Sequence, residues 1–499
     1  MVRKSGLTAS GLVNFSIRFF TSPLSFLFSV IVVKVLSNLP NGILVFGSWQ
    51  LIYVTVTSYF VIVADLLSIL TSRYAAEGRS VGGILILNLG IGGIATGIYY
   101  ALVPFLVAKS GYDQPFYFYW GSLLVFSYYL WRSVNSISTG RTPIHVGIGT
   151  GIFQAVRLIA LVPLLFYLHT SILGVILAYT IGYLAQSFYN LQFIRTSLKV
   201  DLRLALVSLK KSLVFVTNYL QVLIEGAIVL GATVIAGNSS IVSFYESAFT
   251  IASLVTWAST SSTGLVLKLQ EDRSGRVVET SIKLYTFFAW LMMTALVVDG
   301  VPLLHYLRAE YSQAVYGLYI LALSFLLRGF YWIFYSTIAV TDPTLSPEGS
   351  GEIRGPTASL VVRNVLISML GTSFSLLSFY LLHHTFGYSI LTTILSVGLL
   401  INSLGMLTSS YLKVREGIHF SFPWKEVLLS SASLVIASPL ALLRIRGRLE
   451  DVIMLGALSS LTFIVSSYVI NPYARNLITA VIREGINALK RTRSPGPRA

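Results

Sequence analysis

The chain has 499 residues, of which 55% are hydrophobic and 11% charged, and its mean hydropathy is +0.77. An ordinary soluble domain of that composition would bare a very large apolar surface to water, so that class is excluded. The absence of cysteine removes disulfides, thiolate metal sites and thiol catalysis, while the net charge of +16 needs its own explanation.

Apolar stretches of membrane-crossing length recur along the whole sequence and predict an all-α, polytopic membrane bundle of about 14 transmembrane helices. In chain order the predicted spans are 9–36, 43–71, 81–108, 115–137, 145–167, 170–194, 212–236, 241–267, 281–306, 313–340, 356–382, 386–412, 426–444 and 451–470. The first has no small-residue cleavage site after it and reads as a mature helix rather than a signal peptide. With the amino terminus inside, 25 of the 35 Lys and Arg fall in cytoplasmic segments or near the cytoplasmic ends of spans, whereas Lys109, Arg308, Arg444, Arg446 and Arg448 lie in the outer loops or at their edge. This is the positive-inside distribution; it accounts for the charge without nucleic acid and puts both termini on the cytoplasmic side of a cell membrane. Past Asn471, Ile478, Val481, Ile482, Ile486 and Leu489 recur at helical spacing among Arg483, Lys490, Arg491 and Arg493, the pattern of an interfacial helix.

The chain also repeats itself. Arg79 in Glu77-Gly78-Arg79 has a counterpart in Arg276 of Ser274-Gly275-Arg276, Val103-Pro104 in Val301-Pro302, Arg132 in Arg328, and Arg157 in Arg363. The register drifts after the insertion around Asp342 to Gly349. Collinear matches over six spans predict two lobes in the same orientation, 1–200 and 201–415, with the substrate path between them. Two additional spans over 416–472 and an amphipathic basic tail over 473–499 complete the expected organisation.

Polar residues on the spans mark the path. The first span carries Asn14, Arg18, Ser22, Ser25 and Ser29 at spacings of three and four, beside a kink expected at Pro23. Gln50, Tyr53, Thr57 and Asp65 follow on the second; Asn218, Gln221 and Glu225 begin the second lobe, and Glu246, Thr250, Ser253, Trp257 and Thr260 occupy the eighth span. Four stripes in matching places predict a shared wet cavity, against the alternative that the hydroxyls serve helix packing. An ionisable group at the bilayer centre costs roughly 2.5–3.5 kcal/mol, so such groups have a function or a partner. Arg18, Arg157, Arg363, Asn14, Ser22 and Gln50 are therefore candidate substrate-binding residues, and Asp65, Glu225 and Glu246 either pair with the arginines or bind a coupling Na+ or H+. Lys34 and Asp299, close to the outer boundary, are expected to snorkel or cap. There is no Gly-rich phosphate loop followed by Lys, no cofactor signature is found, and His383-His384 reads as polar loop rather than metal site.

The chain resembles the polysaccharide-export branch of the multidrug/oligosaccharidyl-lipid/polysaccharide (MOP) flippase superfamily. The resemblance rests on Val35-Leu36-Ser37 through Gly47, similar to that family's first loop, and on Ser72-Arg73-Tyr74-Ala75-Ala76-Glu77-Gly78-Arg79, similar to its basic loop after the second span. It implies a V-shaped, alternating-access flippase, not an enzyme, whose basic cavity holds the phosphate and sugars of a polyprenyl-linked oligosaccharide while the lipid tail stays in the bilayer. It further implies a monomer working beside glycosyltransferases or a polymerase of the same pathway. A multidrug or metabolite cation antiporter of the same superfamily is the runner-up, and cavity charge separates the two: cations favour acidic and aromatic linings, a phosphate favours Arg. A membrane glycosyltransferase or ligase fits less well, since the connectors here are too short for a catalytic domain.

Overall fold

The computed structural model describes residues 21, 23–195, 198–212, 216–262, 269, 274–342, 355–443 and 448–493. Seventeen helices run along them. Divided at the boundaries the sequence repeat predicts, the first lobe holds α1 (Pro23–Ser37), α2 (Gly42–Thr55), α3 (Ile62–Ala76), α4 (Gly82–Ser110), α5 (Pro115–Arg141), α6 (Pro143–Val162) and α7 (Ser171–Ile194). After the connecting helix α8 (Leu202–Ser212), the second lobe holds α9 (Val216–Ala236), α10 (Ser240–Ala252), α11 (Gly275–Leu307), α12 (Val315–Thr341), α13 (Pro356–Leu382) and α14 (Tyr388–Gly417). Then come α15 (Trp424–Ala437), α16 (Leu449–Ile470) and α17 (Pro472–Arg493).

Local chemistry sets many boundaries. Proline opens α5, α6 and α13, where its missing N–H costs nothing. Gly111 ends α4 in the left-handed region, at φ 69°. Twelve helical stretches among the described residues are long and apolar enough to cross a membrane. The expected first and fourth spans complete the count of about 14: α1 is described only from Pro23, and α5, with 27 residues, has the length but a more polar Tyr- and Ser-rich face. The bare surfaces of α4 and α13 carry Ile94, Ile98, Leu370 and Leu377, a composition suited to lipid.

Three spans of the two lobes are less regular than hydropathy predicts. The second is broken by a π-turn at Val56–Phe60, and Tyr129 donates its hydroxyl to the Phe60 carbonyl there at 2.9 Å. A second π-turn, Pro163–Tyr167, ends α6 where proline withholds an N–H. The third is a 3-10 segment, Ser253–Ser262, in which Ser253, Thr256, Ser259 and Ser261 each donate to the carbonyl three residues back at 2.6 to 2.7 Å. Hydroxyls competing for the backbone in this way tighten a helix.

The tail expected to be an interfacial helix is helical as α17, which packs Ala474, Leu477 and Ile478 against Phe287 and Phe463 and leaves Ile482 exposed. Asp299 departs from expectation: instead of snorkelling, it is buried and faces Gly456 of α16.

Candidate functional site

The lobes are sewn together at the end that the charge rule places outside. The Ser239 N–H donates to the Ser110 carbonyl at 2.7 Å, Ser37 and Tyr311 share a hydroxyl bond of 2.7 Å, and Asn38 donates to the Leu307 carbonyl at 3.1 Å. Lys34 donates to the carbonyl of Tyr306, Arg308 to that of Ser37, and Ser243 to that of Ile43. Gly47 allows the approach, because any β-carbon there would collide with the backbone carbonyl of Ser239.

Below this seam lies a cavity of about 220 Å³ walled by both lobes. Ser25 and Ser29 reach it from α1, Gln50 and Tyr53 from α2, Arg157 from α6 and Glu246 from α10. Arg157 is 4% exposed, donates to the Ser25 hydroxyl at 2.8 Å, and leaves its Nε proton without a partner. Its guanidinium carbon lies 4.3, 4.8 and 4.9 Å from the ring centres of Phe28, Phe153 and Tyr179, an aromatic box that steadies a cation without neutralising it. Glu246, 7% exposed, enters from the opposite lobe. Neither residue has an ion-pair partner among the described residues, so the cavity holds one fixed cation and one carboxyl group with open hydrogen-bonding capacity.

The other two acids are engaged. Asp65 lies 2.5 Å from Arg132 and accepts from Tyr128 at 3.1 Å. Glu225 lies 2.5 Å from Arg328 and accepts from Gln221 at 3.2 Å. Arg132 and Arg328, matched in the sequence repeat, thus both carry an acid, supplied by α3 in one lobe and by α9 in the other. A second cavity of about 200 Å³ sits inside the second lobe, lined among others by Arg328, Tyr331, Trp332 and Asn364.

No protein-family model and no curated protein sequence matches the chain. Solved structures do. "Lipid II flippase MurJ, inward closed conformation" aligns with a TM-score of 0.63 at 13% identity, over 93% of this chain and 99% of that one. An inward-facing "multidrug resistance MATE family transporter of the MOP superfamily" aligns at 0.60 and 13%, over 81% and 98%. A MOP superfamily transporter from Pyrococcus furiosus, titled for the reverse polarity of its binding pocket, aligns at 0.54 and 14%, over 82% and 94%. The chain has the fold of the MOP transporters.

Within this MOP fold the predicted residues fall as follows. Gln50, Arg157 and Glu246 meet in the inter-lobe cavity, and Asp65 and Glu225 are tied to arginines outside its lining. Arg363, which the repeat makes equivalent to Arg157, is exposed on α13 and absent from the lining of both cavities, so this expected symmetry is not present. Asn14, Arg18 and Ser22 lie outside the described residues, as do all the residues before Pro23 but Thr21, on which the expected kink depends, and the side chains of Asn218 and Thr260. Sequence reasoning missed the rings of Phe28, Trp49, Tyr179 and Phe249 in the cavity wall. Their signal is a spacing of four, as in Trp49 with Tyr53 and Phe153 with Arg157, which stacks side chains on one helix face.

Proposed function

We propose that this MOP-fold chain is an alternating-access flippase for a polyprenyl phosphate or diphosphate carrying an oligosaccharide. It would act in the cell membrane as a monomer with both termini cytoplasmic, in a route that builds a surface polysaccharide or glycoprotein. One observation carries the reading: Arg157 is a buried guanidinium with no carboxylate partner among the described residues, held in a cavity between lobes with a free N–H. A guanidinium fork offers paired donors to phosphate oxygens, and it cannot be deprotonated to escape burial. Arg157 with Ser25 would grip the phosphate, Gln50 and Ser29 the adjoining sugar, and the seam through Lys34, Gly47 and Arg308 would be the outer closure. Arg18, Asn14 and Ser22, which their spacing of three and four predicts on the face of Ser25 and Ser29, would add further head-group contacts.

Glu246 is the coupling position in this scheme. Asp65 and Glu225 already balance an arginine each, leaving Glu246 as the carboxyl that can take up H+ or Na+ in the cavity. The same residue, with Tyr53, Trp49 and Phe249 around it, favours a second reading, export of an organic cation. Proteoliposomes separate the two. Under the flippase reading, purified protein moves a fluorescent lipid-linked oligosaccharide across the bilayer and leaves ethidium where it was loaded. Ethidium transport without lipid flipping would overturn it in favour of cation export.

A further inference from the structure

The second-lobe cavity differs from the first in being electrically balanced. Arg328 reaches it, but its charge is met by Glu225 at 2.5 Å and its Nε donates to Ser403 at 3.1 Å. Gln221 and Ser368 donate to the same carboxylate at 3.2 and 3.4 Å. Among its described lining residues a free anion finds no unbalanced cation, and a free cation finds no unbalanced acid. What the cavity offers is hydrogen bonding and aromatic surface.

Both are arranged for a neutral, hydroxyl-rich ligand. Asn364, 1% exposed, donates its amide to the Tyr331 oxygen at 2.8 Å, while its own carbonyl oxygen is buried with no partner. A buried acceptor left unmatched costs about 1–3 kcal/mol, so it is a standing demand for a donor. Tyr331, having accepted from Asn364, keeps its hydroxyl proton to donate. Acceptor and donor therefore stand side by side, the pattern that a sugar hydroxyl satisfies in both directions. Next to them three rings form a corner: Tyr331 and Tyr335 at 5.7 Å, Trp332 and Tyr335 at 5.5 Å and nearly perpendicular. Trp332 is 53% exposed and Val222 45%, so the cavity opens beside an indole. The apolar C–H face of a pyranose lies well on such a ring, and this face is what separates a sugar from water or a simple alcohol.

We propose that this cavity is a saccharide subsite for a single neutral hexosyl unit, with Asn364 and Tyr331 bonding one hydroxyl and Trp332 carrying the ring face. The inference rests on the flippase reading and divides the head group's chemistry between the cavities: charge to Arg157, neutral sugar to Asn364. The closing helices come from one lobe only, so the subsite needs no movement between lobes to form.

The test measures binding of four lipids to the full chain in nanodiscs: a polyprenyl monophosphate bearing glucose, galactose, mannose or N-acetylglucosamine, each against the bare polyprenyl monophosphate. At least one glycosylated lipid binds about tenfold tighter than the bare carrier, the worth of one buried acceptor finding its partner. Asn364→Leu and Trp332→Leu each remove that increment and leave bare-carrier binding unchanged, which also reports that the variants fold; Trp332 is exposed, so its replacement spares the core. Arg157→Gln weakens bare and glycosylated lipids alike. If no sugar tightens binding, or if the increment survives both second-lobe variants, the subsite is overturned and the flippase reading stands. If neither kind of lipid binds the wild-type chain, the flippase reading falls and the subsite with it.

Discussion

Arg308 and Lys34 cap each other's helices across the seam between the lobes. Arg308 donates to the Ser37 carbonyl that ends α1, and Lys34 donates to the Tyr306 carbonyl in the last turn of α11. Helix C-termini present unpaired carbonyls and partial negative charge, so a cation from the opposite lobe is matched to both. The exchange exists only while the lobes touch, which makes it a latch on the outer closure.

Loosening that latch moves the lobes apart from outside. Hydrogen bonds to charged groups contribute about 1.5–3 kcal/mol, so Arg308→Gln shifts the closed-to-open ratio by roughly tenfold or more. In this cysteine-free chain, a cysteine introduced at Ser29 in the cavity reports the shift by faster reaction with an impermeant thiol reagent added outside. Unchanged labelling in Arg308→Gln and in Lys34→Gln would mean that the seam is not a gate.

The matched arginines predict coupled variants. Glu225→Gln strands Arg328 and destabilises the protein, and adding Arg328→Gln recovers part of the loss; Asp65→Asn with Arg132→Gln behaves likewise. Contacting groups of this kind couple by about 0.5–3 kcal/mol in double-mutant cycles. Thermal unfolding in detergent reads the cycle, and strictly additive effects would deny that the pairs are structural.

Much of this was legible in sequence, and its gaps have physical causes. Arg157 and Glu246 stood out because a charge in an apolar span is costly and must be used. The same logic pointed at Arg363, but hydropathy does not say which face of a helix turns inward, and the residue lies on the exposed face of α13. The repeat's more telling match was Arg132 with Arg328, whose shared feature is an acidic partner. The breaks at Val56–Phe60 and Ser253–Ser262 vanish in a 20-residue window, although the Ser- and Thr-rich run of the second was visible. The seam was unreadable because it is made largely of backbone carbonyls, which every residue has.

Topology follows from the charge partition. Cysteines at Asp113 and His384, both exposed, react with an impermeant reagent from outside, and one at Lys199 reacts only after permeabilisation. The reverse pattern would invert the positive-inside assignment.

Glu246 is expected to couple transport to an ion. In proteoliposomes Glu246→Gln still lets lipid equilibrate between leaflets but no longer responds to an imposed proton or sodium gradient. A gradient response equal to wild type in this variant would move coupling elsewhere in the chain.

The central claim is that Arg157 holds the phosphate of the lipid carrier, and flipping of a labelled lipid-linked oligosaccharide by reconstituted variants tests it most directly. The aromatic box of Phe28, Phe153 and Tyr179 accepts any cation, but only a guanidinium has the paired donors that phosphate needs. Arg157→Lys therefore keeps part of the activity, while Arg157→Gln falls by about 10- to 100-fold at equal amounts of folded protein. Wild-type flipping by Arg157→Gln would contradict the account.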